Sequence, residues 1–229
     1  MVPSTALALG ALPARLIVLP GVYRPQTDTW LLAQALSHEE MGAATDVLDI
    51  GTGTGALALS AARTGAHVAA VDVSWRAVVT ARLNSFRQRL PLRVMHGDFA
   101  NRTRGRRFDI VLANPPYVPS ARPRPPTRGV ARAWDAGPDG RAVVDRLCVQ
   151  APALLRPGGV LLMVHSAMCG PESTTDRLKA AGLTAQVTAR AVVPWGPVLR
   201  ARRTWLQSRG LADDGDEHEE LVIIRAELL

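Results

Sequence analysis

Short apolar runs recur along the chain, each closed by Gly, Pro, Asn or Asp, and longer amphipathic stretches separate them. Runs of this kind predict buried strands, and the stretches between them predict helices. The strands fall at 46–50, 67–71, 91–95, 110–113, 160–165, 183–193 and 221–226. The helices fall at 29–41, 56–63, 74–89, 140–155 and 171–181, the third with Ser74 as a good cap and the first capped by Thr27 or Asp28. Upstream, Leu16–Leu19 is a further strand candidate before Pro20-Gly21, and residues 1–14 read as a loose leader. Strands alternating with helices predict an α/β fold with a seven-stranded, doubly wound sheet. The last two strands form a hairpin around residues 195–220, which makes one strand antiparallel. The expected organisation is one domain over 1–229, with an N-terminal extension and helix at 1–44 and an insert at 195–220.

The fourth strand carries the most informative chemistry. It ends in Asn114-Pro115-Pro116-Tyr117-Val118. The two prolines cannot donate to a ladder, so the chain leaves the sheet there as a rigid turn. In open parallel sheets that end of a strand is where ligands bind. Asn114 has a side-chain carbonyl, and the Pro115 carbonyl is a second acceptor held in direction by the rings. Two convergent acceptors match the two hydrogens of a planar NH2 group. Tyr117 adds a flat apolar face with a polar tip. The set suits a side-chain amide or a nucleobase amino group, although a proline-rich turn with no further role has the same letters.

Two other strand ends point the same way. After the first strand, Asp49-Ile50-Gly51-Thr52-Gly53-Thr54-Gly55 forms a glycine loop that runs into an alanine-rich helix. The glycines allow close backbone approach to a ligand. The loop lacks the spacing of a dinucleotide fingerprint and the Gly-Lys-Ser/Thr of a phosphate loop. About 20 residues on stands Asp72, where an acidic side chain grips ribose hydroxyls. After the third strand, Asp98 can accept from an adenine amino group while Phe99 packs on the ring. Asp28 and Thr29, small polar groups at a helix entrance, are caps or cofactor contacts.

Charge and cysteine content narrow the partners. The net charge is +7, and Lys179 is the only lysine, so arginine supplies almost all the positive charge. Arg102, Arg104, Arg106 and Arg107 precede the fourth strand, and Arg122, Arg124, Arg128 and Arg132 follow it among prolines. A basic chain of this kind favours an acidic, nucleic-acid-associated or ribosome-associated contact. Cys148 and Cys169 form no close pair, and the histidines show no metal-ligand spacing, so a reduced, metal-free chain is expected. The apolar run Ser4–Leu12 has no positive flank and meets Pro13 and Arg15, and nothing is long enough to span a membrane, so a cytoplasmic location is expected.

Four stretches then resemble one family: Tyr23 to Thr29, Asp49 to Gly55, Asn114 to Val118, and Trp134 to Gly140 with Arg141, Asp145 and Arg146. They look like the release-factor glutamine methyltransferases of the HemK/PrmC type, closest to their short archaeal/eukaryotic branch. The glycine loop itself is similar to the S-adenosylmethionine loop of class I methyltransferases, which have a Rossmann-like sheet. The resemblance implies S-adenosyl-L-methionine as cofactor, with S-adenosyl-L-homocysteine as product, held by Asp28, Thr29, Asp49, Gly51, Thr52, Gly53, Asp72, Asp98, Phe99 and Asn114. It implies catalysis by Asn114, Pro115 and Tyr117. The glutamine of a Gly-Gly-Gln tripeptide would meet Asn114, Pro115, Pro116, Tyr117 and Trp134. It also implies a translation release factor as protein substrate and a small activator subunit. The residues leave three alternatives open: methylation of an exocyclic amine of adenine or guanine in RNA or DNA, cofactor binding without turnover, and methylation of a small molecule. Asp135 and Ala136 depart from the branch, which usually has Ala and Gly there, and the insert at 195–209 is longer than the family leads one to expect.

Overall fold

The computed structural model describes residues 12–13 and 15–229. Seven strands form one sheet: β1 (Asp46–Ile50), β2 (His67–Asp72), β3 (Leu92–His96), β4 (Phe108–Ala113), β5 (Leu155–Ser166), β6 (Leu183–Pro194) and β7 (His218–Leu228). Their order is β3-β2-β1-β4-β5-β7-β6. Strand β7 alone runs against its neighbours, pairing antiparallel with both β5 and β6. The α/β, doubly wound reading with one antiparallel strand is therefore correct. The chain builds outward from β1 to β3 and then returns to the other side of β1 for β4. That reversal opens a crevice at the carboxyl ends of β1 and β4. Ile50 pairs with Ala113, so the glycine loop and the Asn-Pro-Pro-Tyr turn leave the sheet side by side.

Both faces of the sheet are covered, which explains why its central strands read as continuous apolar runs. Along β4, Ile110 and Leu112 face one side while Val111 and Ala113 face the other. The first side packs on α1 (Thr27–Leu36), α2 (Ala56–Ala62) and α3 (Trp75–Gln88) through Leu32, Leu36, Ala58, Val78 and Ala81. The second packs on α4 (Phe99–Arg102), α5 (Ala142–Leu154) and α6 (Pro171–Ala180) through Phe99, Val144, Leu147, Ala151 and Leu178. Gly55, with φ of 82°, lets the loop before α2 press on α3: a Cβ there would meet the Ala81 Cβ at 3.2 Å. At the amino edge Arg156 joins Asp109 at 2.6 Å and Asp46 at 2.5 Å, tying β1, β4 and β5 in register.

Several elements differ from the sequence reading. Leu16–Leu19 is not a strand. Its backbone is met instead by a side chain: Asn84 on α3 accepts from the Ile17 amide at 2.8 Å and donates to the Ile17 carbonyl at 2.9 Å. The first helix ends at Leu36 rather than near Met41, and no side chain caps its start. Asp28 is turned to other partners, described below. Pro157-Gly158-Gly159 does not simply end a helix but lies within a longer β5. The proline-rich loop contains a short 3-10 turn at Val130–Ala133. The insert folds as α7 (Pro197–Ala201) and α8 (Arg203–Ser208). The leader assigned to 1–14 lies almost wholly outside the described residues; of it, Leu12 is buried in the core. Among the described residues no helix is long and apolar enough to cross a membrane.

Asn84 also donates to the Thr54 carbonyl at 2.9 Å and is 1% exposed, so one amide links α3, the entering chain and the glycine loop. Replacing it strands the buried Thr54 carbonyl and the half-buried amide and carbonyl of Ile17. Asn84→Ala is expected to lower unfolding free energy by about 1–3 kcal/mol, since an unsatisfied buried group costs that much. Urea denaturation checks this, and an unchanged midpoint would show the amide to be dispensable.

Candidate active site

The crevice holds a cavity of about 600 Å³. Its walls come from the glycine loop, the start of α1, the ends of β2 and β4, and the loop that ends in Trp134. That size suits a nucleoside-scale ligand.

The wall that carries Asn114 is built from one buried carboxylate outward. Asp28 is 3% exposed. Its Oδ2 accepts from the Tyr23 hydroxyl at 2.9 Å and from the Tyr117 hydroxyl at 3.3 Å. Its Oδ1 accepts from the Thr29 amide at 2.6 Å and the Thr29 hydroxyl at 3.0 Å. The Thr29 oxygen in turn accepts from Nδ2 of Asn114 at 3.4 Å. With its NH2 engaged, Asn114 keeps its side-chain carbonyl for a ligand, and both Asn114 and Pro115 line the cavity. Both tyrosine hydroxyls are raised above their ordinary pKa, first by burial and then by the Asp28 charge, so they stay protonated donors. The turn is locked from behind. The Val118 amide donates to the Trp134 carbonyl at 2.7 Å, and the Ala136 amide donates back to Val118 at 3.1 Å. Gly140, with φ of 72°, lies where any Cβ would collide with the Tyr117 carbonyl.

The other wall is anionic. Asp72 accepts from the Gly53 amide at 2.9 Å and the Ser74 amide at 2.7 Å, which ties β2 to the glycine loop. Burial raises its pKa, opposed by those two bonds. Asp49 is 1% exposed. Its Oδ2 accepts from the Thr52 hydroxyl at 2.6 Å and the Ala58 amide at 3.2 Å, while its Oδ1 is buried without a partner. Burial pushes its carboxyl up to about 6, with the Thr52 and Ala58 bonds pulling back. Outside the cavity lining and on the Asp28 side, Glu219 at the start of β7 is pushed up to about 7 by burial, opposed by a bond from Ser166 and raised further by Asp28.

Most residues expected from sequence are brought together. Asp28, Thr29, Gly51, Thr52, Gly53, Asp72, Asn114, Pro115, Pro116, Tyr117 and Trp134 all line the cavity. Asp49 supports the loop from beneath. Asp98 and Phe99 are not brought to it. Both Asp98 oxygens take Arg146, at 2.5 and 2.6 Å, and the Arg146 guanidinium lies 4.8 Å from the Phe99 ring centre. That ion pair holds the Asp98 carboxyl below its ordinary range. Sequence reasoning missed Trp75 and His96, which line the cavity with ring centres 5.2 Å apart in an edge-on pair. It also gave no role to Tyr23, whose spacing from Asp28 was the available signal, or to Glu219, for which there was none. Of the flanking arginines, Arg128 and Arg132 reach the cavity, and Arg132 donates to the Val73 carbonyl at 3.4 Å.

The electrostatics of Asp49 are testable. The folded state holds its proton more tightly than the unfolded chain does, so this group weakens folding as pH rises through about 6. Carboxyl carbon NMR should show one aspartate titrating near 6, and Thr52→Ala should move it higher by removing a bond to the charged form. A single population of ordinary aspartates would contradict the buried, half-partnered geometry.

Comparison with known proteins agrees with this architecture. The methyltransferase small domain model matches residues 14–124. A putative protein N5-glutamine methyltransferase of Methanocaldococcus jannaschii is 32% identical over 79% of this chain and 90% of its own length. Release factor glutamine methyltransferases of Gloeobacter violaceus and Moorella thermoacetica are 34% and 37% identical, over 86% and 72% of this chain. They are covered over 71% and 61% of their own lengths. Two solved structures share the fold. One is the E. cuniculi Mtq2-Trm112 complex, described as methylating the termination factor eRF1, with TM-score 0.60 and 22% identity over 91% of this chain and 99% of the matched one. The other is the T. thermophilus 16S rRNA methyltransferase RsmC with AdoMet and guanosine, with TM-score 0.60 and 24% identity over 94% of this chain and 49% of that one. The chain belongs to the protein N5-glutamine methyltransferase family, whose members use S-adenosylmethionine as methyl donor.

Proposed function

We propose that this chain methylates the side-chain nitrogen of a glutamine, in the Gly-Gly-Gln tripeptide of a translation release factor. The orientation of Asn114 carries the reading. Thr29 takes its NH2, so its carbonyl is left to accept from an incoming NH2 beside the Pro115 carbonyl. The names of the relatives reported above support the same acceptor. A translation factor as acceptor implies a cytoplasmic reaction. The whole chain is read as one methyltransferase domain that works with a small activating subunit, a reading supported by the E. cuniculi neighbour being a two-protein complex. Its arginine-rich loops at 102–107 and 122–132 are read as docking an acidic or ribosome-associated surface.

The residues fit the cofactor. The glycine loop and the Asp72 carboxylate border one cavity, with an unpartnered Asp49 oxygen buried beneath the loop, and together they favour a ligand with cationic groups and hydroxyls. Gly51, Thr52 and Gly53 would hold it by their backbone, Asp72 by the ribose hydroxyls, and Asp28, Thr29 and Asp49 at the amino-acid end. Trp75 and His96 are the flat faces available to an adenine within the cavity, where Asp98 and Phe99 are not. When bound, S-adenosylmethionine supplies a methyl group on a sulfonium, open to direct displacement.

The chain's own residues then act on the acceptor. An amide nitrogen is a poor nucleophile because its lone pair is shared with the carbonyl. The Asn114 Oδ1 and Pro115 oxygen accept its two hydrogens, hold it in line and favour a pyramidal nitrogen. Orientation of this kind contributes up to roughly 7–11 kcal/mol in well-aligned cases. Tyr117 is fixed by its bond to Asp28, so its ring is a rigid side wall. The alkylated nitrogen is strongly acidic and sheds its proton without a dedicated base.

Because Asn114 acts on the acceptor, Asn114→Ala is expected to cut methyl transfer by roughly 10²–10³-fold, the usual cost of one preorganised hydrogen-bonding group. Affinity for S-adenosylmethionine should stay nearly unchanged, so the loss falls on turnover. The assay measures labelled methyl transfer into a Gly-Gly-Gln release factor and, in parallel, into RNA and DNA oligonucleotides. Transfer by the unaltered chain into an oligonucleotide and not into the release factor would replace the glutamine reading with a nucleobase amine. Full activity of Asn114→Ala on the true acceptor would return the motif to a structural turn.

A further inference from the structure

We propose that the insert between β6 and β7 is part of the acceptor site, and that Arg202 is its positioning residue. The proposal rests on the reading that the Asn114–Val118 turn receives the acceptor. Two independent links join the insert to that turn. The first is apolar. Trp195, Leu199 and Leu206 form a small core of their own, separate from the two sheet cores, and Val118 packs against it. Val118 is the residue next to Tyr117, so the wall of the cavity rests directly on the insert. The second link is polar. Arg202, between α7 and α8, donates through Nη1 to the Pro119 carbonyl at 2.8 Å and through Nη2 to Asp135 at 2.6 Å.

These two contacts fall on both sides of one local pairing. Val118 and Asp135 form an isolated parallel bridge, flanked by the Val118-to-Trp134 and Ala136-to-Val118 hydrogen bonds. A single guanidinium therefore grips both strands of the bridge that carries Tyr117 on one side and Trp134 on the other. Arginine suits this task because its planar fork spans two acceptors in a fixed geometry. Asp135 has a side chain only 3% exposed, whereas that of Arg202 is 23% exposed. The two ends of the pair are thus unequal. Without Arg202, Asp135 is a buried charge with nothing opposite it, and the bridge must open to hydrate it. Without Asp135, Arg202 keeps the Pro119 carbonyl and has access to water.

This asymmetry makes the proposal testable. Arg202→Leu should raise the KM for the release factor roughly tenfold or more, with S-adenosylmethionine affinity unchanged within about twofold. It should also speed hydrogen exchange at the Val118 and Ala136 amides by roughly tenfold while leaving Gly53 and Ala58 as they were. Asp135→Ala alone should do less. Added to Arg202→Leu, it should bring both readouts back to within about threefold of the unaltered chain, because an apolar replacement of a buried pair is tolerated where a broken pair is not. Unchanged exchange and KM in Arg202→Leu would overturn the proposal, as would a double variant no better than the single. The exchange measurement needs no acceptor. If the unaltered chain leaves the release factor unmethylated, the acceptor reading fails, and the exchange pattern still decides whether Arg202 clamps the bridge.

Discussion

The acceptor side of this molecule depends on the buried carboxylate of Asp28. Four donors converge on it: two tyrosine hydroxyls, one backbone amide and one threonine hydroxyl. A charge this deeply buried is tolerable only when its lone pairs are filled in this way. Meeting that requirement fixes the site. Thr29 gives its hydrogen to Asp28 and so becomes an acceptor for Asn114. Tyr117 gives its hydrogen to Asp28, which fixes the direction in which its side chain points. The direction of the Asn114 carbonyl is thus decided two bonds away, at the start of α1.

The sheet brings that network to the cofactor side. Strand order reverses between β1 and β4, and their register places Gly51 beside Asn114. In the proposed reading the methyl donor and the acceptor amide would be neighbours because two adjacent parallel strands end together. Asp72 on the cavity wall and Asp49 beneath the glycine loop are acidic, opposite in sign to the sulfonium and ammonium groups the site is read to hold. The insert braces the acceptor wall from outside the sheet, through Val118 and Arg202.

Much of this was legible in the chain because period and punctuation report directly on a sheet buried on both faces. Val47–Ile50, His67–Val71 and Ile110–Ala113 could hardly be other than parallel strands, and their ends identified, in that order, the glycine loop, Asp72 and the Asn-Pro-Pro-Tyr turn. What escaped was set by contacts between distant side chains. Leu16–Leu19 has the apolar pattern of a strand, yet the Ile17 backbone bonds to the side chain of Asn84, 67 residues away. Asp98 and Phe99 sit at a strand end with the right chemistry, but Arg146 on α5 claims both. The departure at Asp135 was visible as a letter, while its partner could be known only once the insert had folded back onto the turn.

The most direct measurement is a crystal structure with S-adenosylhomocysteine and a Gly-Gly-Gln peptide. The proposed geometry predicts the glutamine NH2 between the Asn114 Oδ1 and the Pro115 carbonyl, beside the Tyr117 ring, with its nitrogen aimed at the sulfur of the cofactor. A glutamine bound elsewhere, or an Asn114 amide turned so that its NH2 faces the peptide, would contradict it.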